Sequence, residues 1–232
     1  MTYLFYIFIA LLPGLFWVWY YLRKDRENPE PPKLLLKVFL LGMAVTVPAV
    51  AFEFAADYFF SFAHANTLTA IIFGSLLVVA PIEELLKYFV VREAVVKNPN
   101  FDEPVDGVIY AVVAALGFAS LENILVVFGE GGEIILLRFA TATLMHALTS
   151  GIVGYHLGLA MIKPEKKKSL VIQGLVIAIL LHALYNISVS LSNSFAITII
   201  LLTVLLGSMF IILSRGIKEL KSYKPAKTKA SK

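Results

Sequence analysis

The stretch Ala80-Pro-Ile-Glu-Glu-Leu-Leu-Lys-Tyr-Phe-Val90 sets two adjacent carboxylates inside a segment that otherwise reads as membrane-spanning. Leu68 to Val91 is long enough to cross a hydrocarbon core of about 30 Å, and Glu83 lies roughly 13 Å in from Arg92 at 1.5 Å per residue. A glutamate is too short to reach water from that depth, and ionisable side chains held in lipid are costly and usually functional. Pro81 has no backbone N–H and crowds the turn before it, which predicts a kink just ahead of the acids. Lys87 follows Glu83 by four residues on the same face, where an ion pair offsets part of the cost of burial. A buried structural pair is the plain reading of the stretch, and a working site is the other.

Hydrophobic residues make up 59% of the 232, with a mean hydropathy of +0.83; soluble domains hold about 45–50%. The composition implies an all-α, polytopic protein of the cell membrane, with the lipid bilayer as its surroundings. There is no cysteine, which removes disulfides, thiolate metal sites and a cysteine nucleophile together. The net charge of +4 does not point to nucleic acid, because the basic residues fall in loops beside the apolar runs. There they read as orientation signals.

Seven apolar stretches follow from hydropathy, over about 3–22, 34–55, 67–91, 107–128, 134–162, 169–191 and 195–214. The first lacks the leading positive charge and the cleavage site of a secretory signal peptide, so a retained helix is expected. Arg23, Lys24, Arg26, Lys33 and Lys37 flank the first stretch on one side; Lys87, Arg92 and Lys97 flank the third; Lys163, Lys166, Lys167 and Lys168 flank the fifth. Seven more run from Arg215 to Lys232, so 19 of the 20 basic residues share a side and only Arg138 does not. The positive-inside rule then puts the N-terminus outside and the C-terminus in the cytoplasm. This divides the chain into one membrane domain, residues 1–214, and a basic cytoplasmic tail, residues 215–232, expected from Tyr223 onward to be disordered or to lie on anionic lipid. The Pro-rich run from Arg26 to Lys33 reads as an extended connector. Glu53 and Asp57 read as water-solvated residues near the outer face, Asp106 as the N-cap of the fourth helix, and Arg138 as snorkelling toward Glu133 or the interface.

Further polar groups sit deep in separate helices: Glu122 and Asn123 in the fourth, His146 in the fifth, His182 and Asn186 in the sixth. Rise arithmetic places Glu122 about 22 Å and His182 about 18 Å from one edge, and His146 at a comparable depth counted from the other. A single intramembrane histidine is often just a helix contact. Two histidines and three glutamates at similar depth in four helices are harder to read that way. Phe118 and Glu122, His146 and Ser150, and His182 and Asn186 are each four apart, so each pair shares a face. Small residues beside them, among them Gly117, Ala119, Ser120, Ala147, Gly151, Gly154 and Ala183, permit close helix approach.

Carboxylates and imidazoles in a dry site suit activation of water, with Lys87, Asn123 and Asn186 supporting substrate or oxyanion. Alternatively His146, His182 and Glu122 hold Zn²⁺ while another glutamate acts as base. Neighbours in sequence point about 100° apart on a helix, so Glu83 and Glu84 cannot serve alike. Glu83 shares a face with Lys87 and reads as its charge partner. Glu84 has Tyr88 four residues on and no cation at that spacing, which makes it the expected general base.

At these residues the chain resembles the PrsW family of intramembrane proteases, and more distantly the CaaX-prenyl-protease-like membrane enzymes. The matching features are Glu83-Glu84-Leu-Leu-Lys87, Phe101-Asp-Glu-Pro-Val-Asp-Gly-Val-Ile-Tyr110, Gly117-Phe-Ala-Ser-Leu-Glu-Asn123, and the segments beginning at His146 and His182, over roughly residues 80–190. The resemblance implies hydrolysis of a peptide bond in a membrane-associated protein or peptide, with Glu83, Glu84, Glu122, His146 and His182 as the active-site set. It implies metal dependence in the first family and a glutamate–histidine site in the second.

A transporter or proton-conducting protein with the buried acids as its path is the competing class, and a non-catalytic scaffold built on a protease pocket is a third. The absence of two matching halves weighs against an inverted-repeat transporter. The charge asymmetry yields a direct test, because the chain has no cysteine to remove: a cysteine introduced after Arg215 labels from the cytoplasmic side and one at Asn193 from the outside. Labelling of the tail cysteine only from outside overturns this orientation.

Overall fold

In hydrocarbon no water is available to the backbone, so each spanning segment must satisfy its own N–H and C=O groups, which a helix does. The computed structural model describes residues 2–24, 28–62, 67–191 and 194–223 and shows helices with short connections throughout them. Seven are long and apolar enough to cross a membrane: Tyr3–Leu22, Pro32–Phe60, Leu68–Ala94, Asp106–Glu130, Ile134–Ile162, Pro164–Leu191 and Phe195–Ser222. They coincide with the seven stretches expected. The largest difference is the last helix, which runs on to Ser222 where the apolar pattern stops at 214. The expectation for the tail therefore meets helix at its start, and from 224 onward it lies outside the described residues, as do residues 26 and 27 of the Pro-rich connector.

The helices are α1 (Thr2–Leu22), α2 (Pro32–Phe60), α3 (Leu68–Phe73), α4 (Ala80–Ala94), α5 (Asp106–Glu130), α6 (Ile134–Ala140), α7 (Ala142–Ile162), α8 (Lys167–Leu191) and α9 (Phe195–Ser222). The centre is α5, which packs most extensively on α7, then on α2 and α1. Every residue from Asp106 to Ser120 is buried. A helix that is apolar or small on all sides belongs inside the bundle, and α5 has Ala111, Ala114, Ala115, Gly117 and Ala119 where its neighbours close in. Around it α1 and α9 keep wide faces for lipid.

Two crossings are close enough to require glycine. A Cβ on Gly117 of α5 would collide with the Phe39 carbonyl oxygen of α2. At the α5–α7 crossing, a Cβ on Gly154 would collide with the Gly107 carbonyl and stand 2.6 Å from the Val108 Cα. The small residues noted around the polar positions thus allow the backbone contact expected of them.

Two of the spans are interrupted within their length. The third is α3, a π-helical segment Gly74–Val79, then α4, with the Ala80 N–H bonded to the Ser75 carbonyl. Pro81 cannot donate, and its ring clashes with the carbonyl four residues back in a regular helix, so the wider turn relieves it. The kink expected ahead of the acids takes this form. The fifth span breaks at Thr141 (φ −120°, ψ −83°), between α6 and α7. Asp106 does not cap α5 as expected: it is the first helical residue, and its carboxylate turns back to accept the Asp102 and Glu103 N–H groups at 2.9 and 2.7 Å. Tyr110, one turn on, donates to Glu30 in the connector before α2.

The α5–α7 crossing carries a prediction. Gly154→Ala forces the two backbones apart and lowers stability by about 1–3 kcal/mol, the usual cost of overpacking. Gly207→Ala on α9, where nothing lies within 4 Å, leaves thermal unfolding in detergent nearly unchanged.

Candidate active site

Glu83, Glu84 and Lys87 occupy one turn of α4, immediately after the π-helical segment, and all three are buried. The Lys87 ammonium is 2.7 Å from Glu84 Oε1, 3.4 Å from Glu83 Oε2 and 3.0 Å from His146 Nδ1 on α7, and stands 4.9 Å over the Phe118 ring of α5. An ammonium has three donors and no acceptor, so these three acceptors use it fully. Lys87, counted from sequence among the flanking positive charges, is therefore part of the interior. Its nearer partner is Glu84 at i−3, not Glu83 at i−4.

That contact settles the histidine tautomers through the hydrogen-bond network. With Nδ1 accepting from Lys87, His146 carries its proton on Nε2 and donates it to Glu122 Oε2 at 2.8 Å. His182 donates from Nδ1 to Glu84 Oε1 at 2.9 Å, which leaves the Nε2 lone pair free, 3.8 Å from Glu83 Oε2. The two rings are perpendicular, with centroids 5.3 Å apart. Each imidazole is thus aimed by a carboxylate behind it, the arrangement that fixes ring orientation in many metal and catalytic sites.

Glu84 is the most enclosed of the cluster's glutamates, 1% exposed. Besides Lys87 and His182 it accepts from Thr149 at 3.0 Å and Ser150 at 3.2 Å. Glu84, expected as the base for want of a cation four residues on, has one three residues on in Lys87, and its carboxylate, holding four donors, is absent from the open cavity wall. Glu83 instead lines a cavity of about 540 Å³ together with Glu122, Arg138, His146, His182 and Asn186.

Glu122 is not grouped with the histidines in the way expected for a metal ligand. Glu83, His146 and His182 are the three whose ligand atoms lie within 4.8 Å of one another. Glu122 is engaged by His146 and by Arg138, whose Nη2 stands 3.0 Å away at an angle outside hydrogen-bond geometry. Arg138 Nε donates to Asn123 Oδ1 at 2.7 Å, and Asn123 donates to Thr143 at 3.1 Å and the Ala10 carbonyl at 3.4 Å. Asn123 therefore holds Arg138 and does not face the open volume, while Asn186 does. Arg138 was missed as a site residue; the signal available was that it stood alone among 20 basic residues on its side of the chain. Glu53, expected in water, also lies on the cavity wall.

A family model for the PrsW family intramembrane metalloprotease matches residues 30–214, a range that takes in the whole cluster. The chain is 32% identical over 186 residues to "Protease PrsW" of Bacillus subtilis (strain 168), covering 79% of this chain and 83% of that one. It is 31% identical over 197 residues to "Protease PrsW" of Oceanobacillus iheyensis, covering 85% and 88%, and 30% identical over 177 residues to that of Geobacillus kaustophilus, covering 76% of each. No solved structure matches. With seven membrane helices and most of its length shared with these proteases, the chain belongs to the PrsW family of intramembrane metalloproteases.

Proposed function

We propose that the chain hydrolyses a peptide bond of a membrane-associated protein or peptide, and that Glu83, His146 and His182 are the groups that meet the attacking water and the scissile carbonyl. The observation that carries this reading is their convergence on one wall of the cavity. Glu83, with Lys87 behind it and open volume in front, is the base where no metal is bound and a ligand where one is; Glu84 and Glu122 are positioning residues that hold His182 and His146.

The same three residues suit Zn²⁺. Two imidazoles and a carboxylate are a common catalytic set, and tetrahedral ligands at 2.0–2.1 Å from the metal stand about 3.3 Å apart. Glu83 Oε2 is 3.7 Å from His146 Nδ1 and 3.8 Å from His182 Nε2. Bound there, the ion supplies a Lewis acid and lowers the pKa of a coordinated water. The chain's own part is to present the His182 Nε2 lone pair by holding Nδ1–H on Glu84 and to set Glu83 beside Lys87 on the cavity wall.

One observation favours the metal-free version. Lys87 Nζ occupies the His146 Nδ1 lone pair at 3.0 Å, so ligation by that nitrogen requires Lys87 to withdraw toward Glu84. In that version Glu83 takes a proton from water directly and His182 assists.

Zinc analysis separates the two. The metal version expects about one equivalent of Zn²⁺ in purified protein, its loss in His182→Ala, and arrest of cleavage by a chelator; full cleavage by metal-free protein leaves the glutamate–histidine version standing. Without metal, Glu83→Gln cuts single-turnover cleavage by about 10²–10⁴-fold, the usual contribution of a general base, and keeps the melting temperature; with metal, it removes a ligand, so cleavage and bound zinc fall together. Appreciable cleavage by this variant removes Glu83 from the chemistry. Lys87→Met leaves Glu84 buried without its cation and costs about 3–5 kcal/mol of stability, read as a fall in melting temperature. An unchanged melt shows that Lys87 is not the keystone of the cluster.

A further inference from the structure

Resting on the proteolytic reading of this cavity, we propose that Glu53 is a specificity residue that binds a lysine or arginine side chain of the substrate close to the scissile bond. On α2 the buried stripe is Gly42, Thr46 and Ala49, and Thr46 ties it to α5 by donating to the Phe118 carbonyl at 3.2 Å. Glu53 lies four residues past Ala49 and seven past Thr46, so the same face carries it onto the cavity wall. Its Oε1 is buried and has no hydrogen-bond partner, and Glu53 forms no ion pair among the described residues.

The charges around it explain why the missing partner is a cation. Three carboxylates line the cavity, Glu53, Glu83 and Glu122, against one cation, Arg138. Arg138 is held by the Glu122 ion pair and by Asn123, its buried Nη2 lacking a hydrogen bond, and it forms no ion pair with Glu53; Lys87 is taken up by Glu84, Glu83 and His146. A metal ion at Glu83 and the histidines leaves Glu53 as it was. An unpaired carboxylate on the wall of a cavity lined mainly by acids gains most from a cation delivered by whatever enters. Substrates from the bilayer bring such groups, since lysine and arginine flank the apolar runs of membrane proteins.

The test uses full-length protein in detergent and a series of apolar 20-residue peptides that carry a single lysine at successive positions, each with a norleucine twin. Binding is measured to Glu83→Gln, which is intact at Glu53, and cleavage to the native enzyme. In at least one register the lysine peptide binds about tenfold tighter or more, as a charge-assisted hydrogen bond provides. Adding Glu53→Gln brings the ratio to unity, and Glu53→Lys transfers the preference to a peptide with glutamate at that position. Equal lysine-to-norleucine ratios with and without Glu53→Gln, in every register, overturn the proposal. Lysine-dependent binding with no cleavage by native enzyme upholds Glu53 and refutes the proteolytic reading; cleavage without lysine dependence does the reverse. Melting curves of both Glu53 variants confirm folding, and Glu53→Asp, which keeps the charge, retains a preference for lysine.

Discussion

A single ammonium group governs the interior. Lys87 is 1% exposed and has three donors, and α4 and α7 meet around it with three acceptors. Removing a charge from water costs several kcal/mol, which only a complete set of partners repays. Completeness has structural consequences. Because His146 accepts from Lys87, its other nitrogen must donate, and Glu122 on α5 is there to receive; because Glu84 is held by Lys87, it can aim His182 on α8. Four helices are thereby locked in rotation and depth by one small network. The backbone contact at the α5–α7 crossing supplies the proximity that this network needs.

The irregular backbone has the same origin. In lipid, a departure from regular α-helix is tolerated where protein or a cavity surrounds it. The π-helical segment contributes Gly74, Ser75 and Val79 to the cavity wall, and the break at Thr141 precedes two more wall residues, Ala142 and Met145. Each shift of one residue turns the following helix by about 100°. On α4 this sets which of two adjacent glutamates looks into open volume and which is sealed against α7 and α8.

The helices themselves were legible because runs of apolar residues of spanning length have no other stable form in a membrane. The members of the cluster were legible for the opposite reason: Glu83, Glu84, Lys87, Glu122, His146 and His182 are costly in such runs, so each stands out singly. What sequence does not carry is rotation about the helix axis. Positions three and four before a lysine are both within its reach, and only packing decided for Glu84. Depth arithmetic likewise put Glu53 near water and Arg138 near an interface, because it knows the height of a residue and not the direction it faces. Asp106 has the residue type and place of an N-cap, and its carboxylate binds the loop behind it instead.

The placement of Glu83, Glu84 and Lys87 on one turn bears on how the protein is made. A chain enters the bilayer from its N-terminal end, so α4 arrives before α5, α7 and α8, which carry Glu122, His146 and His182. At that moment two carboxylates and an ammonium stand in lipid before Glu122, His146 and His182 have been made. Their spacing of three and four residues lets them neutralise one another within the helix, leaving a net charge near −1 in place of three separate ions. The segment therefore crosses the translocation machinery with its own counterion, and the later helices need only dock onto an ion pair already formed.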